Sequence, residues 1–274
     1  MQNAVLTGFS SDSWVILSEI EKIIKEKIEK IGTPLKDWDI RINYGIKTGF
    51  NEAFIIDGSK RKELIDEDPK SAEIIRPILR GRDIKRYDYD FADLYLINTH
   101  NGVKEKGVKR IKIDNYPSIK KHLDQYYPQL EKRADKGETP YNLRNCAYME
   151  EFYKQKIAWA SVGETLYSLI PENTYLLDTN YFFSIEKKQI YLLAILNSKL
   201  ITYWINSEDT PIGKGGAYRH YKYNLEKLPI IILPTDIQDK LLNLLDSQNY
   251  EKIDKLIYEL YELTEEEITF IEHQ

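Results

Sequence analysis

The chain has 274 residues, 42% hydrophobic and 30% charged, with a formal net charge of −5. That balance belongs to a folded protein and excludes disordered and collagen-like chains, while the longest apolar runs, such as LPIIILP (228–234), are too short to span a bilayer. A single Cys146 permits no internal disulfide and, with four scattered His, gives no metal-ligand spacing, so a reducing cytoplasm and no metal are expected.

The opening stretch MQNAVLTGFSSDSWV carries no basic residue and no signal-peptide pattern. A first helix is expected near 13–31, where Ile16, Ile20, Ile23, Ile24, Ile28 and Ile31 recur at three- and four-residue spacing. Gly32 and Pro34 stop it. From 39 to 100 the pattern shortens, and DIRINYG, EAFII and DLYLINT read as strands. NGVKEKGVKR (101–110) is a basic loop with two glycines. YPSIKKHLDQYYPQLEKR (116–133) reads as a helix, with Pro117 in its first turn and Pro128 breaking or kinking it.

KIAWASV, LYSLI and NYFFSI read as short strands, and KKQIYLLAILNSKLITYWIN (187–206) as one long, mostly buried helix. A glycine loop, TPIGKGGAYRHY, and a strand, LPIIIL, follow. Two or three helices close the chain, the last opened by Thr264 and Glu267 in capping-box spacing. The sum is an α+β fold: a mixed or antiparallel sheet core, a helical N-terminal segment and a helical C-terminal tail. With no internal repeat and no low-complexity linker, one compact domain with helical flanks is expected, divided as 1–38, 39–234 and 235–274.

Catalytic patterns are scarce. GKGGAYRH (213–220) has neither P-loop spacing nor a dinucleotide glycine fingerprint, and no G-x-S-x-G elbow is present. SIEKKQ (184–189) comes nearest to a nuclease carboxylate–lysine cluster and reads as a strand end. His100, His122, His220 and His273 read as polar surface or groove residues.

Charge is more informative. Residues 76–122 hold twelve Lys or Arg against six Asp or Glu, whereas 236–274 hold three Lys against eleven acids. An acidic net charge therefore leaves room for a polyanion partner at the middle of the chain. RPILRGRDIKRY supplies Arg80, Arg82, Lys85 and Arg86 as candidate DNA contacts. Asp83 is expected to pair one of them, and Ile78, Leu79 and Ile84 to anchor the core. Lys104, Lys106, Lys109, Arg110 and Lys112 extend the charge into the following loop. The planar fork of arginine suits phosphates and guanine edges. In GKGGAYRHY, three glycines in four positions allow close approach to a partner. Lys214, Tyr218, Arg219 and His220 around them make a second candidate contact to a nucleic acid.

Six blocks in order resemble a known family: YGIKTGFNEAFII (44–56), IIRPILRGRDIKRY (74–87), YPSIKKHLDQYYPQLEKR (116–133), YNLRNCAYMEEFYKQKIAWAS (141–161), YLLAILNSKLITYWI (191–205) and GGAYRHYKYNLEKLPI (215–230), with LYELTEEEITFIE (260–272) resembling the end. The family is the TaqI-like C-terminal specificity domain, the target-recognition part of type IIG restriction-modification enzymes and related adenine-specific DNA methyltransferases. The resemblance implies a domain, here 39–234, that docks in the major groove of double-stranded DNA. It implies too that S-adenosylmethionine serves a methyltransferase domain elsewhere, since this chain lacks the Asn-Pro-Pro-Tyr/Phe motif, and that the parent enzyme also uses magnesium. In GIKTGFN it places Lys47, Thr48 and Asn51 near the DNA backbone; a plain strand–turn–strand is the other reading. A stand-alone specificity subunit for a separate methyltransferase, or a protein–protein adaptor working through the acidic helices, are the alternatives.

Overall fold

The computed structural model describes residues 18–274, and the 13–17 portion of the expected first helix lies outside the described residues. Within them the chain divides into two units. One comprises residues 42–162 and 166–185; the other holds the described residues up to Arg41, 163–165 and 186–274. The expected 39–234 block is therefore cut differently, because 186–234 packs with both terminal helical segments. Apolar surface is the reason. All six residues of the helix Tyr191–Leu196 are buried, and they find their cover on the helices Thr235–Asp246 and Tyr250–Leu260.

The 42–185 unit contains two four-stranded sheets. In the first, Asn43–Tyr44, Asn180–Ser184, Lys156–Ala160 and Ser168–Ile170 lie side by side, antiparallel throughout. In the second the order is Ile55–Asp57, Leu94–Ile97, Ile75–Leu79 and Tyr175–Leu176, with the last pair parallel. A shared core joins them, in which Phe54, Ile78, Leu96, Ile119, Tyr175 and Phe182 are at most 1% exposed. Lys156 is buried with the rest of its strand, and its Nζ donates to the carbonyls of Phe152, Pro171 and Thr174 at 3.1, 3.2 and 3.2 Å. Burial pushes its ammonium down to about 7.

Local chemistry explains where elements stop. EAFII is not all strand: Asn51–Phe54 is a helical turn, entered through the Thr48 hydroxyl oxygen, which accepts the Phe50 N–H at 3.1 Å. The 116–133 segment splits into Pro117–Asp124 and Tyr127–Lys132, because Pro128 has no N–H to return to the preceding turn. The expected helix over 187–206 is two, Tyr191–Leu196 and Lys199–Glu208. Asn197 closes the first by donating to the Leu193 carbonyl at 3.1 Å. The Ser198 hydroxyl oxygen opens the second by accepting from Ile201 N at 3.3 Å.

In the second unit the helix Glu19–Ile31 starts at a Ser18–Glu21 capping box and ends at Gly32. Only Pro229–Ile230 of LPIIIL is strand, antiparallel to Thr33–Pro34. Three helices close the chain, and the Thr264–Glu267 box opens the last, Glu265–Glu272. Part of the tail's acidity is answered inside this unit, where Glu267 and Glu272 pair Lys27 and Lys199. The fold is α+β, with mixed and antiparallel sheets and helical ends, as the sequence predicts.

Candidate nucleic-acid interface

The arginine run follows the strand Ile75–Leu79 and turns through a short 3-10 segment, Gly81–Asp83. Ile78, Leu79 and Ile84 are buried at 1%, 0% and 4% exposure, so both faces of the strand end are covered and the exposed cations Arg82, Lys85 and Arg86 come after it. Asp83 is the expected partner, and it takes Arg80: Nε and NH2 donate to its two oxygens at 2.9 and 2.7 Å. The Nε edge of that fork is occupied, and through it Arg80 braces the turn. Lys85 lies 3.4 Å from Asp90, and Arg86 stacks over the Tyr87 ring at 5.5 Å. The exposed Arg82 side chain has no ion pair among the described residues.

GIKTGFN is a clamp more than a contact strip. Thr48 is 1% exposed, and its hydroxyl donates to Asn51 Oδ1 at 2.5 Å. The expected phosphate contact for Thr48 is corrected accordingly, since its oxygen is buried in the turn. Asn51 stays exposed at the start of its helix, and Lys47 pairs Asp135 at 2.8 Å while half its side chain remains in solvent. Gly49, at φ +72°, lets the chain pass over Asp135 and Arg133, where a Cβ would lie 3.0 Å from the Asp135 carbonyl oxygen.

Arg133 is the residue that closes this clamp. It is 7% exposed with no carboxylate partner, and its guanidinium donates to the carbonyls of Thr48, Asp135, Pro140 and Asn142. The same group lies 4.5 Å above the Phe54 ring. Burial pushes it down to about 10. Asn142, also buried, donates to the carbonyls of Thr99 and Ile111 at 3.3 and 2.9 Å, tying the roots of the basic loop to the 133–145 segment.

The basic loop is thereby ordered. Val103 and Val108 pair across its neck, and Gly107 turns its tip at φ +68°. Lys106 pairs Glu150, and Arg110 pairs Glu138 at 2.9 Å. Lys104, Lys109 and Lys112 are exposed without ion pairs among the described residues. A depression of 640 Å³ opens beside the loop, and a second of 570 Å³ lies beside Lys47, Tyr44 and Asp178. Residues 144–147 line both. The sequence alone gives these four no role, and the Arg-Asn pair that follows Pro140, Tyr141 and Asn142 is the one signal it offers for them.

In the other unit, the glycine loop is a hairpin, Thr210–Ile212 paired with Ala217–Arg219, formed by the chain itself. Its base is closed by a buried pair: His220 Nδ1 lies 2.7 Å from Asp209 Oδ2, and Asp209 also accepts from Asn224 at 2.8 Å. His220, 4% exposed, is corrected from a DNA contact to this clamp. Its buried Nε2 has no hydrogen-bond partner among the described residues. Tyr218 stacks on the His220 ring at 6.5 Å and is half-buried. Lys214 at the tip and Arg219 on the second strand are exposed and unpaired among the described residues. No group of three or more His, Cys, Asp or Glu that could hold a metal occurs among the described residues, and no helix among them is long and apolar enough to cross a membrane.

Cation-bearing loops held by buried clamps on an α+β frame define a module organised around its surface. Residues 76–230 match the family described as the TaqI-like C-terminal specificity domain, and the chain belongs to that family. It is 23% identical, over 96% of its length, to the type II methyltransferase M.BstVI of Geobacillus stearothermophilus, and it spans 47% of that protein. Two solved structures share the fold. The type IIL restriction-modification enzyme MmeI in complex with DNA has a TM-score of 0.63 at 12% identity, over 87% of this chain and 35% of that one. The type IIG restriction endonuclease BpuSI has 0.56 at 13%, over 89% and 33%.

Proposed function

We propose that the chain is the sequence-specific DNA target-recognition domain of a type IIG restriction-modification enzyme of the adenine-specific DNA methyltransferase kind. The observation that carries this reading is the family match over 76–230, which spans the arginine turn, the basic loop, Arg133 and the hairpin. Its partners are double-stranded DNA and a methyltransferase domain, and its compartment is the cytoplasm. The chain spans about half of its curated relative, so methyl transfer and cutting belong to the remainder of the parent enzyme, with S-adenosylmethionine and magnesium held there. The described residues offer no ligand cluster for the metal, and no chemical step runs through this chain. Its own work is to bind and orient a duplex. Arg82, Lys85, Lys104, Lys109, Lys214 and Arg219 supply phosphate contacts, which fix register without reading sequence.

The test is duplex binding as a function of salt. Each neutralised phosphate releases about 0.9 of a counterion, so about six contacts give a log–log slope of roughly −5. The same preparation transfers no labelled methyl group and leaves plasmid uncut. A slope of zero points to the adaptor reading and contradicts this one.

A further inference from the structure

The ridge 144–147 is the wall common to both depressions of the 42–185 unit, and two of its side chains are exposed yet held in place. Arg144 NH1 donates to Asp135 Oδ1 at 3.1 Å, and Asp135 is itself fixed from the other side by Lys47 at 2.8 Å. Those two cations hold the Asp135 carboxyl below its usual range. The Asn145 amide oxygen accepts from the Asn101 amide, and the Asn101 oxygen in turn accepts the Glu138 N–H at 2.8 Å. Each ridge side chain is thus tethered by one atom, and its other donors have no protein acceptor among the described residues.

A surface made for phosphates alone needs donors only. This one also carries the carboxylates Glu105 and Asp178 among its cations. Base edges in the major groove show both donors and acceptors, and arginine and asparagine are the side chains that read guanine and adenine with two parallel bonds. Three other arginines of the unit have their forks turned to protein acceptors, Arg80 to Asp83, Arg133 to four carbonyls, and Arg76 to the carbonyls of Ala72, Ile75 and Glu73, and Arg82 lines neither depression.

We propose that the 144–147 ridge is a base-reading surface for the major groove of duplex DNA, with Arg144 taking a guanine edge and Asn145 an adjacent purine. The proposal rests on the DNA-recognition reading above and names where in this unit sequence is read. Asp135 and Asn101 are positioning residues.

Cys146 supplies the test, because it stands on the ridge and is the only cysteine of the chain. Its alkylation by a maleimide is timed with and without saturating duplex DNA, while binding is followed by fluorescence anisotropy. In parallel, duplexes retained from a pool randomised at its centre are sequenced for the parent chain and for Arg144→Lys, which keeps the charge and loses the fork. The expected result is slowed alkylation in the complex. The Lys variant should retain total affinity while its preference at one guanine position falls about tenfold. Binding that leaves Cys146 alkylating at its free rate overturns the proposal and leaves the DNA reading standing, as does an Arg144→Lys variant with the parent's preference. A chain that retains no duplex at all overturns both.

Discussion

Arg133 shows how a cation-rich sequence divides into groups that hold the fold and groups that face outward. Its guanidinium is buried without a carboxylate, and its two terminal nitrogens donate to four carbonyls from three separate stretches of backbone, while Nε has no partner among the described residues. Removing it strands those carbonyls in a low-dielectric site, each costly to leave unpaired. Arg133→Met should therefore lower unfolding stability by about 1–3 kcal/mol, the cost of leaving buried acceptors unpaired. Arg133→Lys should recover little, since one ammonium cannot reproduce the planar fork. Urea denaturation checks it, and unchanged midpoints for both variants would show that the clamp is idle. That Asp83 pairs a neighbouring cation was legible from their closeness in sequence, and the turn makes that cation Arg80. Arg133 was not legible, because at the end of a helical pattern it reads as one more solvated cation. Its acceptors lie 85, 2, 7 and 9 residues away, and no local period signals them.

At the scale of elements, the hairpin 210–219 presents Lys214 and Arg219 on a frame closed by Asp209 and His220. If it touches DNA, Lys214→Ala and Arg219→Ala should each weaken binding to all duplexes several-fold and reduce the magnitude of the salt slope by about 1. Neither should change thermal stability, because neither side chain has a protein partner among the described residues. Equal binding by parent and both variants would make the hairpin a structural arm. Periodicity found most elements here, and it also placed the Thr264–Glu267 cap and the break at Pro128. It merged Tyr191–Leu196 with Lys199–Glu208, because apolar residues continue across Asn197–Ser198 while the break is made by two side-chain-to-backbone bonds. His220 was misread for a related reason: a histidine beside glycines and an arginine looks exposed, and only the hairpin register brings it against Asp209.

For the whole molecule, the α+β class was legible and its partition was not. Two units built from interleaved segments depend on which apolar faces meet, and the sequence order of strands and helices does not state that. Family membership supplies the purpose that charge alone left divided. A net charge of −5 says nothing about a chain whose cations gather on particular loops and whose C-terminal acids are partly paired within their own unit. The central claim is that these loops recognise a DNA sequence rather than polyanions in general, and the most direct test is selection from a pool of duplexes randomised at the centre. The chain is incubated with the pool at moderate salt, retained duplexes are recovered over several rounds, and the products are sequenced. The account predicts enrichment of one short motif above the starting pool. Retention without any enriched motif, or no retention at all, would contradict it.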